Sequence, residues 1–313
     1  MTKRTSRLAP SPTGALHLGN ARTFLINWAL ARRLGWRLLM RVEDLDGPRV
    51  KPRAARETLQ TLHWLGLEFD GPVTCQSADL EPYRRAMRQL SAAGLVYACT
   101  LTRKQIEQAA SAPHADDHEL RFPPELRPSR IGNDAFDAEK MNYRFVTTDE
   151  SIRIDDLFAG VVEHNPAAEV GDFVVWTRRG VPSYQLAVVV DDARQGVTDV
   201  VRGDDLLPSA ARQMLLYRAL GLEPPRLWHL PLVLGPDGRR LAKRHGDTRL
   251  ESYRRSGVPA ERVIGLLGWW CGMLPRREEI SGEDFRDRFD LDRLSRDSVV
   301  FTKDDDAWLL GRR

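Results

Sequence analysis

Three observations place this chain in the α/β class, as two strand-to-helix halves separated by an insertion. Short apolar runs alternate with amphipathic helical stretches through the first hundred residues, the rhythm of a doubly wound sheet. From about Tyr97 the character changes to polar sequence with prolines and short strand signals. Buried-strand composition then returns at Asp172 and leads again into helix.

The first element is carried by Arg7 to Arg22, RLAPSPTGALHLGNAR. Leu8 and Ala9 predict a short buried strand, Pro10 to Gly14 a turn, and Ala21 to Leu34 a helix with Phe24, Leu25, Trp28 and Ala31 inward. A loop so placed presents backbone N–H groups and the positive end of a helix dipole, which suits a phosphate, with His17 and Asn20 as added donors. The same residues also fit an ordinary turn with a surface histidine, and the stretch alone does not choose.

Trp36 to Val42 (WRLLMRV) predicts a strand buried in a parallel sheet. It ends in Arg41 and in the acidic Glu43, Asp44 and Asp46, a terminus that faces the ligand crevice if the sheet is open and doubly wound. One carboxylate there suits an ammonium or a ribose hydroxyl; a solvated acidic turn is the alternative. Helices follow over Arg53 to Leu65 and Glu81 to Ala93, stopped by Gly66 and Gly94.

Residues 103 to 140 carry four prolines, Pro113, Pro123, Pro124 and Pro128, and a patch running from His114 to Glu119. Metal binding is conceivable for that patch, but nothing apolar nearby would hold it rigid, so it reads as a solvated loop. Met141 to Val146, Ile152 to Ile154 and Val161 to Glu163 predict short strands of an inserted module. Asp172 to Trp176 and Pro182 to Asp192 (PSYQLAVVVDD) have strand composition. Asp199 to Leu207 (DVVRGDDLL) predicts another strand ending in Arg202, Asp204 and Asp205, before a helix from Ser209 to Leu220. Leu230 to Leu234 predicts one more, then a tight Gly-Pro-Asp-Gly turn and the cationic octet Arg239 to Gly246. From Leu250 the pattern is helical, with Tyr253, Val263, Leu266, Leu267, Trp269 and Trp270 forming a separate small core.

Composition excludes several classes. The chain is 42% hydrophobic and 29% charged, with no apolar run long enough to span a membrane and no secretory h-region at MTKRTSRLAP; a cytoplasmic location is the expectation. Cys75, Cys99 and Cys271 offer neither a disulfide framework nor a four-cysteine metal site. A net charge of +3 does not by itself indicate a nucleic-acid partner. Basic character rests on arginine, since Lys3, Lys51, Lys104, Lys140, Lys243 and Lys303 are the only lysines. Lys243 therefore stands out in its loop, where a compact mobile charge can follow a phosphate through a reaction.

Taken together, these segments resemble the class I aminoacyl-tRNA synthetases, within them the glutamyl branch. His17-Leu18-Gly19-Asn20 looks like that branch's HIGH signature and Arg240-Leu241-Ala242-Lys243-Arg244 like its KMSKS. RVEDLD, LHWLGLEFD, YQLAVVVDD and VVRGDDLL fall between them in the expected order, so the resemblance covers nearly the whole chain. It implies a Rossmann-like catalytic domain in two halves, 1–96 and 172–246, with a connective module over 97–171 and a helical stem-contact-like extension over 247–313.

The resemblance also implies the chemistry. L-Glutamate and ATP, with Mg2+ accompanying the nucleotide, give glutamyl-adenylate, and the acyl group passes to a tRNA. By matching positions, Arg7, Ala9, Ser11, Glu43, Tyr184 and Arg202 form the amino-acid pocket, while His17, Asn20 and Lys243 face ATP. Arginines suit the two carboxylates and Glu43 the ammonium. The chain stops at Arg313 with no obvious anticodon reader, which resembles the subgroup that activates glutamate without tRNA and attaches it to queuosine in the anticodon of tRNA(Asp). The rivals are a truncated enzyme charging a tRNA 3′ end and a non-catalytic tRNA-binding paralogue.

Two departures from the family pattern stand out. Its zinc ligands would fall at Cys99, Leu101, Phe122 and Leu126, where three of four cannot bind metal, so zinc is expected to be absent and a hydrophobic cluster to replace it. Ala242 and Arg240 stand where serine and lysine are common.

Overall fold

The computed structural model describes residues 3–12, 15–45, 52–109, 120–132, 136–138, 141–241 and 247–312. Asp46, the 114–119 patch, and Ala242, Lys243 and Arg244 lie outside the described residues.

The first segment runs β1 (Thr5–Leu8), α1 (Leu18–Arg33), β2 (Arg37–Val42), α2 (Pro52–Trp64), β3 (Thr74–Cys75) and α3 (Glu81–Ala92). β1 pairs with β2 and β2 with β3, all parallel. The insertion follows as β4 (Val96–Cys99), α4 (Arg103–Ala109), β5 (Asn142–Phe145), β6 (Ile152–Asp156), β7 (Gly160–His164), α5 (Pro166–Glu169), β8 (Phe173–Thr177) and β9 (Val181–Pro182). β4, β5, β8 and β9 make an antiparallel sheet that continues past residue 171, and β6 and β7 form a separate hairpin.

The chain then re-enters the first layer with α6 (Tyr184–Arg194), β10 (Asp199–Gly203), α7 (Leu207–Leu220), β11 (Arg226–Leu230) and β12 (Val233–Leu234). β10 and β11 are parallel. The two parallel pieces meet at the Thr198 N–H, which donates to the Thr5 carbonyl at 2.9 Å, while the Thr5 N–H donates to Thr198 Oγ1 at 2.9 Å. β1 thus has β2 on one side and β10 on the other, and the crevice above their carboxyl ends is a topological switch point.

Three expectations change. The apolar run of YQLAVVVDD is a helix, not a strand. Its residues Gln185 to Asp192 are all buried, and a run buried on every side shows neither a period of 2 nor one of 3.6. Its length and an extended Ser183 ahead of it were the better guides. The strand expected over Leu230 to Leu234 is two strands, β11 ending at Leu230 and β12 beginning at Val233, because Pro231 brings no N–H to a ladder.

The third concerns the C-terminal segment, α8 (Leu250–Arg255), α9 (Ala260–Trp270), α10 (Gly282–Arg288), β13 (Val299–Val300) and α11 (Lys303–Leu309). Its core is not separate. Val263, Leu266, Leu267, Trp270 and Phe285 share one cluster with Leu8, Leu25, Trp28 and Leu38. Arg33 at the end of α1 donates to the carbonyls of Arg286 and Asp287 at 3.2 and 2.9 Å, and β13 pairs in parallel with β12.

Candidate active site

The eight described residues expected to act come together, and Lys243 lies outside the described residues. Arg7 lies in β1 with Ala9 and Ser11 just beyond it, Glu43 follows β2, and Arg202 lies in β10. Tyr184 opens α6, His17 caps α1 and Asn20 is in its first turn. All eight line one cleft of about 490 Å³, together with Thr23, Asp205, Leu232 and Arg240. The Glu43 N–H donates to the Pro10 carbonyl at 3.0 Å, which draws the end of β2 against the loop after β1.

At the helix end of the cleft the expected phosphate cradle is revised. α1 begins at Leu18, three residues earlier than expected, and its first N–H groups already have partners. His17 Nδ1 accepts from the Gly19 and Asn20 N–H groups at 3.1 and 3.4 Å, Asn20 Oδ1 accepts from the His17 N–H at 3.3 Å, and the Leu18 N–H donates to the Thr248 carbonyl. An anion at the start of α1 meets side chains, since the N–H groups of Leu18, Gly19, Asn20 and Ala21 are spent. Nδ1 has no proton to give, so Nε2 carries the hydrogen of the ring. Burial, with the Arg240 charge in support, holds the His17 pKa down to about 4 and keeps the imidazole neutral.

At the strand end, three arginines sit in different environments. Arg41 Nη1 is 2.6 Å from Asp192 Oδ1 and Nη2 is 3.1 Å from Glu43 Oε1. Arg7 Nε donates to the same Asp192 oxygen at 3.2 Å. Burial opposes ionisation of Asp192, but Arg41 and Arg7 outweigh it and lower its pKa. For Glu43 the balance goes the other way, and burial raises its pKa despite Arg41 and Arg7. Arg202, only 5% exposed, differs from both. Its hydrogen-bond partners are neutral: Nε donates to His229 Nε2 at 2.9 Å and Nη1 to Gln213 Oε1 at 2.8 Å, while its buried Nη2 has no acceptor among the described residues. A buried cation with a spare donor in a cleft is an arrangement that awaits an anion.

Sequence reading missed Asp192, His229, Asp156 and Gln213 as members of this site. Asp192 was in view at the end of YQLAVVVDD, but its position depends on that run being a helix. His229 stands alone in RLWHL, and its one signal is a histidine within an otherwise apolar stretch.

Residues 3–308 match the family described as tRNA synthetases class I (E and Q), catalytic domain. The chain belongs to this family of class I aminoacyl-tRNA synthetases. Within it, the chain is 45% identical to the glutamyl-Q tRNA(Asp) synthetase of Symbiobacterium thermophilum, over 97% of this chain and 98% of that one. It is 38% identical to a glutamate–tRNA ligase of Azorhizobium caulinodans, over 96% of this chain and 64% of that one. A crystal structure of a glutamate tRNA ligase from Elizabethkingia meningosepticum, in complex with its amino acid, matches with a TM-score of 0.79 at 26% identity, covering 98% of this chain and 68% of that one.

Proposed function

We propose that the chain activates L-glutamate with ATP in this cleft, without tRNA, and transfers the glutamyl group to queuosine in the anticodon of tRNA(Asp). The observation that carries the amino-acid assignment is Arg202, a buried guanidinium with neutral partners and an unpaired Nη2 on the cleft wall. Similarity to the Symbiobacterium enzyme over nearly the whole of both chains supports the acceptor.

In this reading Arg202 takes one glutamate carboxylate through forked donors, and Arg7 supports the other while shared with Asp192. Glu43 faces the ammonium, a cation that would restore its ionised form against the cost of burial. Ser11 and Tyr184 orient the substrate through hydroxyls, and Ala9 leaves room beside them. One oxygen of the glutamate α-carboxylate attacks the α-phosphorus of ATP in line, and pyrophosphate leaves; no covalent enzyme intermediate is needed. His17 through Nε2–H, Asn20, and Lys243 from its loop stabilise the charge on the phosphates. Mg2+ accompanying the nucleotide would supply further positive charge beside the phosphates. A hydroxyl of the modified base then attacks the acyl carbon, AMP leaves, and an ester forms. In this reading 1–96 and 172–246 are the halves that carry this chemistry and 97–171 the connective module, whose sheet borrows β8 and β9 from the start of the second half, and 247–313 is the stem-contact-like extension.

The test is the position of the label after incubation with radioactive glutamate, ATP and queuosine-containing tRNA(Asp). Nuclease digestion should recover the glutamate on the anticodon nucleotide. Recovery on the 3′-terminal adenosine would replace this reading with ordinary tRNA charging.

A further inference from the structure

We propose that His229, set by Asp156, is the positioning residue that aims Arg202 without cancelling its charge; this rests on the glutamate reading given above. Arg202 and His229 are direct partners in the parallel register of β10 and β11. Asp156 comes from the insertion, at the end of β6, and its carboxylate and the imidazole are both fully buried, with Oδ2 2.6 Å from Nδ1. Asp156 also accepts from the backbone N–H groups of Phe158 at 2.9 Å, Ala159 at 2.7 Å and His229 at 3.1 Å. Burial opposes its charge, but the His229 ring and these N–H donors outweigh it and lower its pKa.

An ionised carboxylate only accepts, so Nδ1 carries a proton. A guanidinium only donates, so Nε2 must offer a lone pair to Arg202 Nε. One neutral tautomer satisfies both ends, and burial, with Arg202 adding repulsion, lowers the His229 pKa in the same sense even against Asp156. On the other side of Arg202, Gln213 Oε1 accepts from Nη1, its Nε2 donates to Gln185 Oε1, and Gln185 Nε2 donates to Ser209 Oγ. These bonds fix the amide of Gln213 with its oxygen toward Arg202.

The contrast with Arg7 and Arg41 gives the arrangement its meaning. Those arginines touch Asp192 directly, and part of their field is spent there. Arg202 is gripped through an imidazole, which keeps the Asp156 carboxylate one ring away and leaves the positive charge for a substrate anion. The same contact links the insertion to the cleft, because the Leu157 N–H donates to the Leu227 carbonyl at 2.9 Å and clamps the β6–β7 turn onto β11.

A histidine that merely pins that turn would need only its bond to Asp156. The two roles separate in a pair of variants. His229→Gln places an amide oxygen near the Nε2 position and preserves an acceptor for Arg202, whereas His229→Asn places its amide near Nδ1 and preserves the donor to Asp156. Both are compared with Asp156→Asn and the unaltered chain in ATP–pyrophosphate exchange without tRNA, reading KM for glutamate, KM for ATP, kcat and Tm. His229→Asn should raise the glutamate KM about tenfold to a hundredfold, the scale of one charge-assisted hydrogen bond, with the ATP KM within about twofold. His229→Gln and Asp156→Asn should raise the glutamate KM less. Equal effects of the two His229 variants, the reverse order, or both KM values rising in step with lost Tm would overturn the positioning role. Absence of glutamate-dependent exchange in the unaltered chain would instead overturn the glutamate reading, and this proposal with it.

Discussion

His17 accepts two backbone hydrogen bonds through Nδ1, and this capping duty sets its chemistry. A proton on Nδ1 would break both bonds and charge a ring already close to Arg240. Between pH 6.5 and about 4 the unfolded chain therefore binds a proton at His17 that the folded chain refuses, so this residue's contribution makes stability fall as pH drops through that window. The expected outcome of an imidazole 15N titration of the folded protein is a His17 ring that stays in the Nε2–H form at pH 5; a midpoint near 6.5 would show that the cap is not formed. Glu43 and Arg202 were legible in the sequence because each stands at or near the end of a predicted strand, where an open parallel sheet puts its ligand, whereas Arg7, ahead of the expected first strand, was reached through the family resemblance. Asp192 and His229 were not. Their roles depend on neighbours across helix and strand contacts, which no local pattern encodes.

The Gly94 helix stop and the Gly-Pro-Asp-Gly turn were readable because glycine at positive φ is a local requirement, met at Gly94 (66°) and Gly238 (71°). α6 was not, since valine-rich composition argues for strand while tertiary burial favours helix. In the insertion, the positions that correspond to the family's zinc ligands do converge. Cys99 and Phe122 are buried in a small cluster with Tyr97 and Ile106, and Leu101 and Leu126 pack against it. We propose that this cluster holds the module in place of zinc. Gly171, with φ +67°, packs against it, where a Cβ would fall 2.2 Å from the Phe122 carbonyl oxygen. Nearby, Asp172 accepts from Tyr97 at 2.8 Å, from the Thr147 N–H at 2.8 Å and from Arg127 at 2.5 Å. Gly171→Ala should cost more than about 2 kcal/mol in denaturant unfolding, and metal analysis of the unaltered protein should find no stoichiometric zinc. A neutral Gly171→Ala together with one bound zinc would refute the replacement.

Across the molecule, one crevice is assembled from pieces far apart in sequence. β1 and β10 meet through Thr5 and Thr198, and the loop after β12 reaches back so that Arg240 pairs with Asp205 at 2.5 Å on the cleft wall. The C-terminal helices add to the same core that holds α1. The ordered motifs made this architecture legible, because strand ends and turns are local. The sharing of a core between the first and last segments was not legible, since an amphipathic helix shows that it has an apolar face but not which partner covers it.

The most direct measurement is ATP–pyrophosphate exchange by the purified protein without tRNA, with L-glutamate, L-aspartate and L-glutamine each supplied in turn. Exchange with glutamate alone is the predicted result, reduced by orders of magnitude in Arg202→Ala and in Lys243→Ala while circular dichroism stays unchanged. Exchange that begins only when tRNA is added, or near-normal exchange in both variants, would contradict it.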